Sequence, residues 1–242
     1  MPDSSPMVTP AQRKWLPWLT AVGFFMQTLD GTILNTALPS MAEALGESPL
    51  QMQSVIIAYM LTVALLIPAS GWLADRFGTR RVYLVAILLF TLGSLACAIA
   101  NTLPMLVIAR VLQGVGGALL MPIGRLAVLR VYSKHELLRV MSFVTIPGLL
   151  GPLIGPALGG WLVEVASWHW VFLINLPVGL LGFVASWHFM PDLRQHTARF
   201  DWQGFVLFSV GMVLVSVGLQ GLGEHSISTG WALFCLLYTS PS

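Results

Sequence analysis

Asp30 and Arg110 stand inside long apolar runs, and they are the two residues of this chain best placed to do chemistry. A charge in such a run is costly, so it faces protein or a water-filled cavity and commonly marks an ion or substrate route. A carboxylate and a guanidinium at similar depth can hold a proton or a cation between them, or simply lock two helices. Arg110 is followed at i+3, i+4 and i+7 by Gln113, Gly114 and Gly117, which share its helical face. Gln27 lies three residues before Asp30, and Gly31 four before Asn35. Polar side chains so spaced can line a pathway or bond neighbouring helices to one another. Enzyme chemistry has no comparable signal. There is no His-Glu-x-x-His, no Gly-x-Ser-x-Gly and no phosphate-binding glycine loop. Cys97 and Cys235 both fall in apolar runs without metal-ligand spacing. The sequence therefore predicts no enzyme, no metal and no cofactor.

The elements that carry these residues follow from composition. Of 242 residues, 9% are charged, against about 25% in an ordinary soluble domain. Another 56% are apolar, and 23 are glycine. So few charges cannot cover a soluble globule, and no basic patch exists for nucleic acid. An all-α polytopic membrane protein remains. Crossing the hydrocarbon core takes about 20 mostly apolar residues. The runs that qualify are 15–38, 51–74, 82–100, 104–123, 138–163, 170–190 and 202–222; an eighth begins at Trp231 and fails by Thr239. Asp30 then lies about 12 Å below the end of its helix, and Arg110 about 9 Å below the same surface.

Eleven of the 12 basic residues fall on one side, at the N-terminal side or in and beside alternate connections; the twelfth, Arg110, lies well inside a span. The positive-inside rule puts the N-terminus in the cytoplasm. Trp15, Trp18, Trp168, Trp170, Trp202 and Trp231 mark span ends as an interfacial belt would. Gly148, Gly151, Pro152, Gly155, Pro156, Gly159 and Gly160 recur at helical spacing, predicting one stripe for close packing and a bend. The short connection 71–81 holds Asp75, Arg80 and Arg81, whose charges can pair in one global state and part in another.

Together these segments resemble the major facilitator superfamily, in particular its proton-coupled drug-antiporter branch with 14 spans. Gly71-Trp-Leu-Ala-Asp75-Arg-Phe-Gly78-Thr-Arg80-Arg81 resembles the family's loop between helices 2 and 3. Arg110-Val-Leu-Gln113-Gly114-Val-Gly116-Gly117 is similar to the helix-4 motif, and 148–160 to the helix-5 antiporter motif. Residues 29–39 resemble the helix-1 signature of that branch, and 167–179 extend the match.

The resemblance implies a cytoplasmic tail (1–14), an N-terminal six-helix bundle (15–190), a cytoplasmic loop (191–201), a linking helix (202–222) and a truncated helix (231–242). The last residues, 236–242, look foreign to the helix they interrupt, as an incomplete gene would leave them. It implies proton-coupled export of small amphipathic compounds from a bacterial inner membrane; the alternative is a uniporter or symporter for a nutrient or metabolite. Expected partners are a small-molecule substrate, protons, the lipid bilayer and the missing C-terminal bundle, with no nucleic acid. Asp30 would bind a proton or cation beside Arg110, with Gln113, Gln27 and Asn35 along the pathway. Gly71, Asp75, Gly78, Arg80 and Arg81 would form the cytoplasmic gate.

Overall fold

The structure, a computed structural model, describes residues 8–195 and 200–223. The chain divides at residues 197/198 into two units. Described residues of the first form helices α1 (Pro10–Leu45), α2 (Pro49–Phe77), α3 (Thr79–Ala98), α4 (Leu103–Val131), α5 (Lys134–Val165), α6 (Trp170–Leu173) and α7 (Asn175–Phe189). Those of the second form α8 (Trp202–Gly223). The tail of the expected eighth span, 231–242, lies outside the described residues.

Helix starts follow the side chains that satisfy free N–H groups. The hydroxyls of Thr9, Ser48 and Thr102 accept from the backbone N–H groups of Gln12, Gln51 and Met105, each with proline at the first helical turn. At α5 the Glu136 carboxylate accepts from the backbone N–H and the hydroxyl of Ser133. These hydrogen bonds hold the Glu136 carboxyl below its ordinary value, with the Arg13 guanidinium nearby adding to the effect. A depressed folded pKa gives stability that is present above 4.5 and is lost as pH falls through the folded value. Glu136→Ala will thus lower the thermal midpoint at pH 7, and the difference will shrink steadily below pH of about 4.5. A gap that persisted undiminished at pH of about 3 would remove the carboxylate from the account.

Helices α1, α2, α4 and α5 outrun their expected apolar cores at both ends, so the connections beside them are shorter than the composition suggests. Gly78 alone separates α2 from α3, at φ 90°. A side chain there would strain the backbone and run into Asp192. Residues following α7 are not a free loop. Thr79 donates to the Pro191 carbonyl and accepts from the Leu193 N–H, at 2.7 and 3.0 Å, and Met190 and Leu193 are buried.

Seven spans were expected. Among the described residues five helical stretches are both long and apolar enough to cross a membrane: Pro49–Phe77, Thr79–Ala98, Leu103–Val131, Lys134–Val165 and Trp170–Phe189. The protein is thus a multi-pass membrane protein. At 36 residues α1 is long enough, but Gln27, Thr28, Asp30, Thr32, Asn35 and Thr36 interrupt its apolar run. In α8 the apolar stretch is Trp202–Val215. The sixth crossing is interrupted at Ile174, one turn before Pro177, whose missing N–H leaves the Leu173 carbonyl without a helical donor.

The first unit's interior has two apolar clusters. One gathers Leu16, Met26, Tyr83, Phe90 and Leu120; the other Ile33, Met41, Met52, Leu106 and Phe172. Along α1, α3 and α4 the buried polar residues Asp30, Ser94, Arg110 and Gln113 fall between the two in chain position. A polar layer therefore sits between two apolar ones.

Candidate functional site

Asp30 and Arg110 meet. Arg110 Nη1 donates to Asp30 Oδ2 at 2.7 Å and to Gln113 Oε1 at 2.8 Å. Asp30 Oδ1 accepts from Gln113 Nε2 at 2.8 Å and from Asn175 Nδ2 at 3.1 Å. Ser94 Oγ joins by accepting from Asn175 at 3.0 Å and donates to the Phe172 carbonyl at 3.0 Å. All five residues are at most 1% exposed. The Arg110 guanidinium also lies over the Tyr59 ring, 4.2 Å from its centroid, while Arg110 Nε and Tyr59 Oη have no hydrogen-bond partner. Four crossings thus converge on one carboxylate, which buried polar groups require if each is to be satisfied.

Glycines make this convergence possible. Gly93 of α3 lies against the Gln113 backbone, and Gly116 of α4 against the backbone of Ala86 and Phe90. On the other side of α4, Gly114 and Gly117 receive Thr62 and Tyr59 of α2. The expected Arg110 stripe therefore serves two interfaces. Asn175, Ser94 and Tyr59 had no assigned role from spacing. The Asn-Leu-Pro step at the helix interruption was the available signal for Asn175.

Gln27 and Asn35 do not join the network. Asn35 is exposed, about 140° around α1 from Asp30; Gln27 is half-buried, about 60° from Asp30, with Oε1 unpartnered, and a Cβ on Gly31 between them would meet open space. The expected single polar pathway is thus two features of one helix, a buried network at Asp30 and a less buried strip of Gln27, Gly31 and Asn35.

The helix-5 stripe also divides. Gly148, Gly151, Gly155 and Gly159 are buried against Phe24, Thr28, Thr32 and Thr36 of α1, each side chain over one glycine. Thr32 Oγ1 lies 3.3 Å from the Gly151 carbonyl, to which it donates. Pro152, Pro156 and Gly160 are exposed. Steps of 3 and 4 residues bracket the 3.6-residue turn, so members at i and i+1 point 100° apart, and only the glycines reach α1.

At the end of the bundle where α1 begins, Asp75 pairs with Arg130 of α4, which also donates to Gln195 Oε1 at 3.3 Å. Asp75 does not pair with Arg80 or Arg81. Arg80 donates to the Trp187 carbonyl and lies over that ring, and Arg81 is exposed. Gly71 is half-buried with open space beside it. Arg125, expected in a connection, lies inside α4 over the Phe24 ring. Trp168, expected at an interface, is buried and stacked on His169.

Membrane-length apolar helices packed around a buried carboxylate–guanidinium pair make this a helical membrane protein of transporter type, and a family model described as Major Facilitator Superfamily matches residues 20–240. The chain belongs to that superfamily. Among curated proteins, it is 58% identical over 215 residues to the "Putative multidrug resistance protein MdtD" of Pectobacterium atrosepticum, covering 89% of this chain and 46% of the relative. The protein of that name from Klebsiella pneumoniae is 56% identical over 222 residues, covering 92% and 47%. The chain therefore spans about half the length of the curated relatives it matches. Solved structures share the fold. A peptide transporter POT in complex with sulfate has a TM-score of 0.65 at 20% identity, covering 94% of this chain and 49% of that one. The human organic anion transporter MFSD10 has a TM-score of 0.65 at 16% identity, covering 86% and 55%.

Proposed function

We propose that this chain is the N-terminal part of a multidrug exporter of the bacterial inner membrane, driven by proton antiport. The observation that carries the reading is the Asp30 carboxylate, buried among donors from α4 and α7 on the helix that also presents a less buried strip of Gln27, Gly31 and Asn35. Substrate on that strip and a proton or ion pair at Asp30 are joined by one rigid helix. Movement of α1 that loosens the Arg110 contact frees Asp30 to take a proton, and restoring the contact expels it. Arg110 and Gln113 hold the carboxylate; Asn175 and Ser94 position it. Gly71, Asp75, Gly78, Arg80 and Arg81 belong to the gate at the cytoplasmic end, with Arg130 as the partner of Asp75. Relatives named for multidrug resistance support the export reading, and the collection of basic residues at the α1 start supports a cytoplasmic N-terminus. A second bundle, matching the remainder of the relatives, completes the pathway, and transport rather than catalysis is the activity.

The test joins this chain, in place of the matching half, to the second half of the Pectobacterium relative in a drug-sensitive host. In inside-out vesicles, drug addition will release protons from the wild-type chimaera. Asp30→Asn will abolish that release, whereas Asn35→Ala will keep it and alter which drugs evoke it. Unchanged proton release with Asp30→Asn would end the Asp30 assignment.

A further inference from the structure

A groove of about 340 Å³ opens on the outer side of the first unit between α1, α3 and α7, and neither Gln27 nor Asn35 lines it. Its walls are apolar, with Val22 and Met26 from α1, Ile87 from α3, and Leu181 from α7 among them. It runs along α1 from Trp15 to Met26, about 16 Å at 1.5 Å per residue. Half of a hydrocarbon core about 30 Å thick is about 15 Å. The groove thus has about the length of one leaflet.

Two polar features stand at the end where α1 begins. Ser186 lines the groove, is fully buried, and its Oγ has no hydrogen-bond partner. Arg80 lies three residues before Tyr83 and seven before Ile87 on the same face of α3, and both of those line the groove. Its guanidinium is held over Trp187 and donates to that residue's carbonyl; a guanidinium has five N–H donors, and among the described residues no carboxylate pairs with it. From the membrane surface inward the order is therefore a fixed cation, a free hydroxyl, then apolar wall. That is the order of phosphate, ester and acyl chain in a glycerophospholipid.

We propose that this groove binds one phospholipid of the leaflet at the α1 start, its phosphate on Arg80, an ester carbonyl accepting from Ser186 Oγ, and an acyl chain along the groove. The lipid seals α7 to α1 and α3 where protein packing leaves a gap. This site is separate from the Asp30 network and from the face carrying Asn35, so it does not depend on the export reading.

Gly182 supplies the test, because it lines the groove and a Cβ there meets nothing within 4 Å, so a larger side chain takes up groove space. The 242-residue chain is extracted in mild detergent and its retained phospholipids are counted by intact-complex mass spectrometry. Wild type will keep one phospholipid through a delipidating wash, and Gly182→Phe will lower its occupancy at least tenfold. Gly182→Ala, which leaves the groove open, will keep it. Arg80→Gln will weaken retention about fivefold, and inorganic phosphate at millimolar concentration will not displace the lipid. Circular dichroism checks that each variant is helical, and Ser186→Ala gives a second reading, with weakened retention, should Gly182→Phe fail to fold. Equal lipid counts in wild type, Gly182→Phe and Ser186→Ala would overturn the proposal, as would displacement of the lipid by phosphate alone.

Discussion

Replacing Arg110 with methionine will destabilise the bundle by about 3–5 kcal/mol, the range found when one partner of a buried ion pair is removed. The cost comes from what remains. Asp30 keeps Gln113 and Asn175 as donors but loses the only countercharge among the described residues that touches it. Replacing both members, Asp30→Asn with Arg110→Met, will recover more than half of that loss, since neutral groups of similar volume do not need a countercharge. Denaturant unfolding in detergent micelles reads both. If single and double variants unfold together, the lone charge is not the source of the cost. The double variant also separates structure from transport, because it keeps the fold and still lacks a carboxylate able to take up a proton.

The contact between α3 and α4 will show the second large effect. A Cβ on Gly116 would lie 2.6 Å from the Ala86 carbonyl oxygen and 2.8 Å from the Phe90 Cα; one on Gly93 would lie 2.5 Å from the Gln113 Cα. These neighbours are backbone and cannot rotate away, so the helices must part. Gly116→Ala will cost about 1–3 kcal/mol, the usual range for an overpacked core. Gly93→Ala will do the same, and the pair together will cost less than the sum, because the first separation makes room for the second. Parting α3 from α4 also draws Ser94 away from Gln113, so proton coupling in the chimaera will fall with stability. Gly160→Ala, with no heavy atom within 4 Å, is the control. Equal thermal midpoints for Gly116→Ala and Gly160→Ala would refute the packing argument.

Much of this was legible before any coordinates. The charge-poor composition led to a membrane bundle, and the depths of Asp30 and Arg110 placed them at one level, where they pair. What spacing could not show is which side of a helix is inside. Gln27, Asp30 and Asn35 looked like one polar route because each breaks the apolar run. Yet on an ideal helix Asp30 points about 60° from Gln27 and about 140° from Asn35, and only packing reveals which direction is buried. Asn175 was invisible for a related reason. Its value lies in a carboxylate 145 positions earlier in the chain, not in its neighbours. The Gly and Pro residues of α5 were read as one stripe because a 3-4 spacing tolerates about 100° of spread; α1 is narrower than that and contacts the glycines alone. Asp75 found Arg130 rather than Arg80 because the one-residue link at Gly78 turns α3 away and brings the end of α4 alongside.

The hydrogen bonds of Asp30 also set an order of events during synthesis. Arg110 follows Asp30 by 80 residues and Asn175 by 145. At about 5–20 residues per second, the first helix emerges roughly 4–16 s before its countercharge has been made. An aspartate at a helix centre costs about 2.5–3.5 kcal/mol to insert, and α1 has too few apolar residues around it to offset that easily. The newborn helix must therefore wait beside the insertion machinery, or enter the bilayer with its carboxyl protonated, until α4 arrives to take the negative charge.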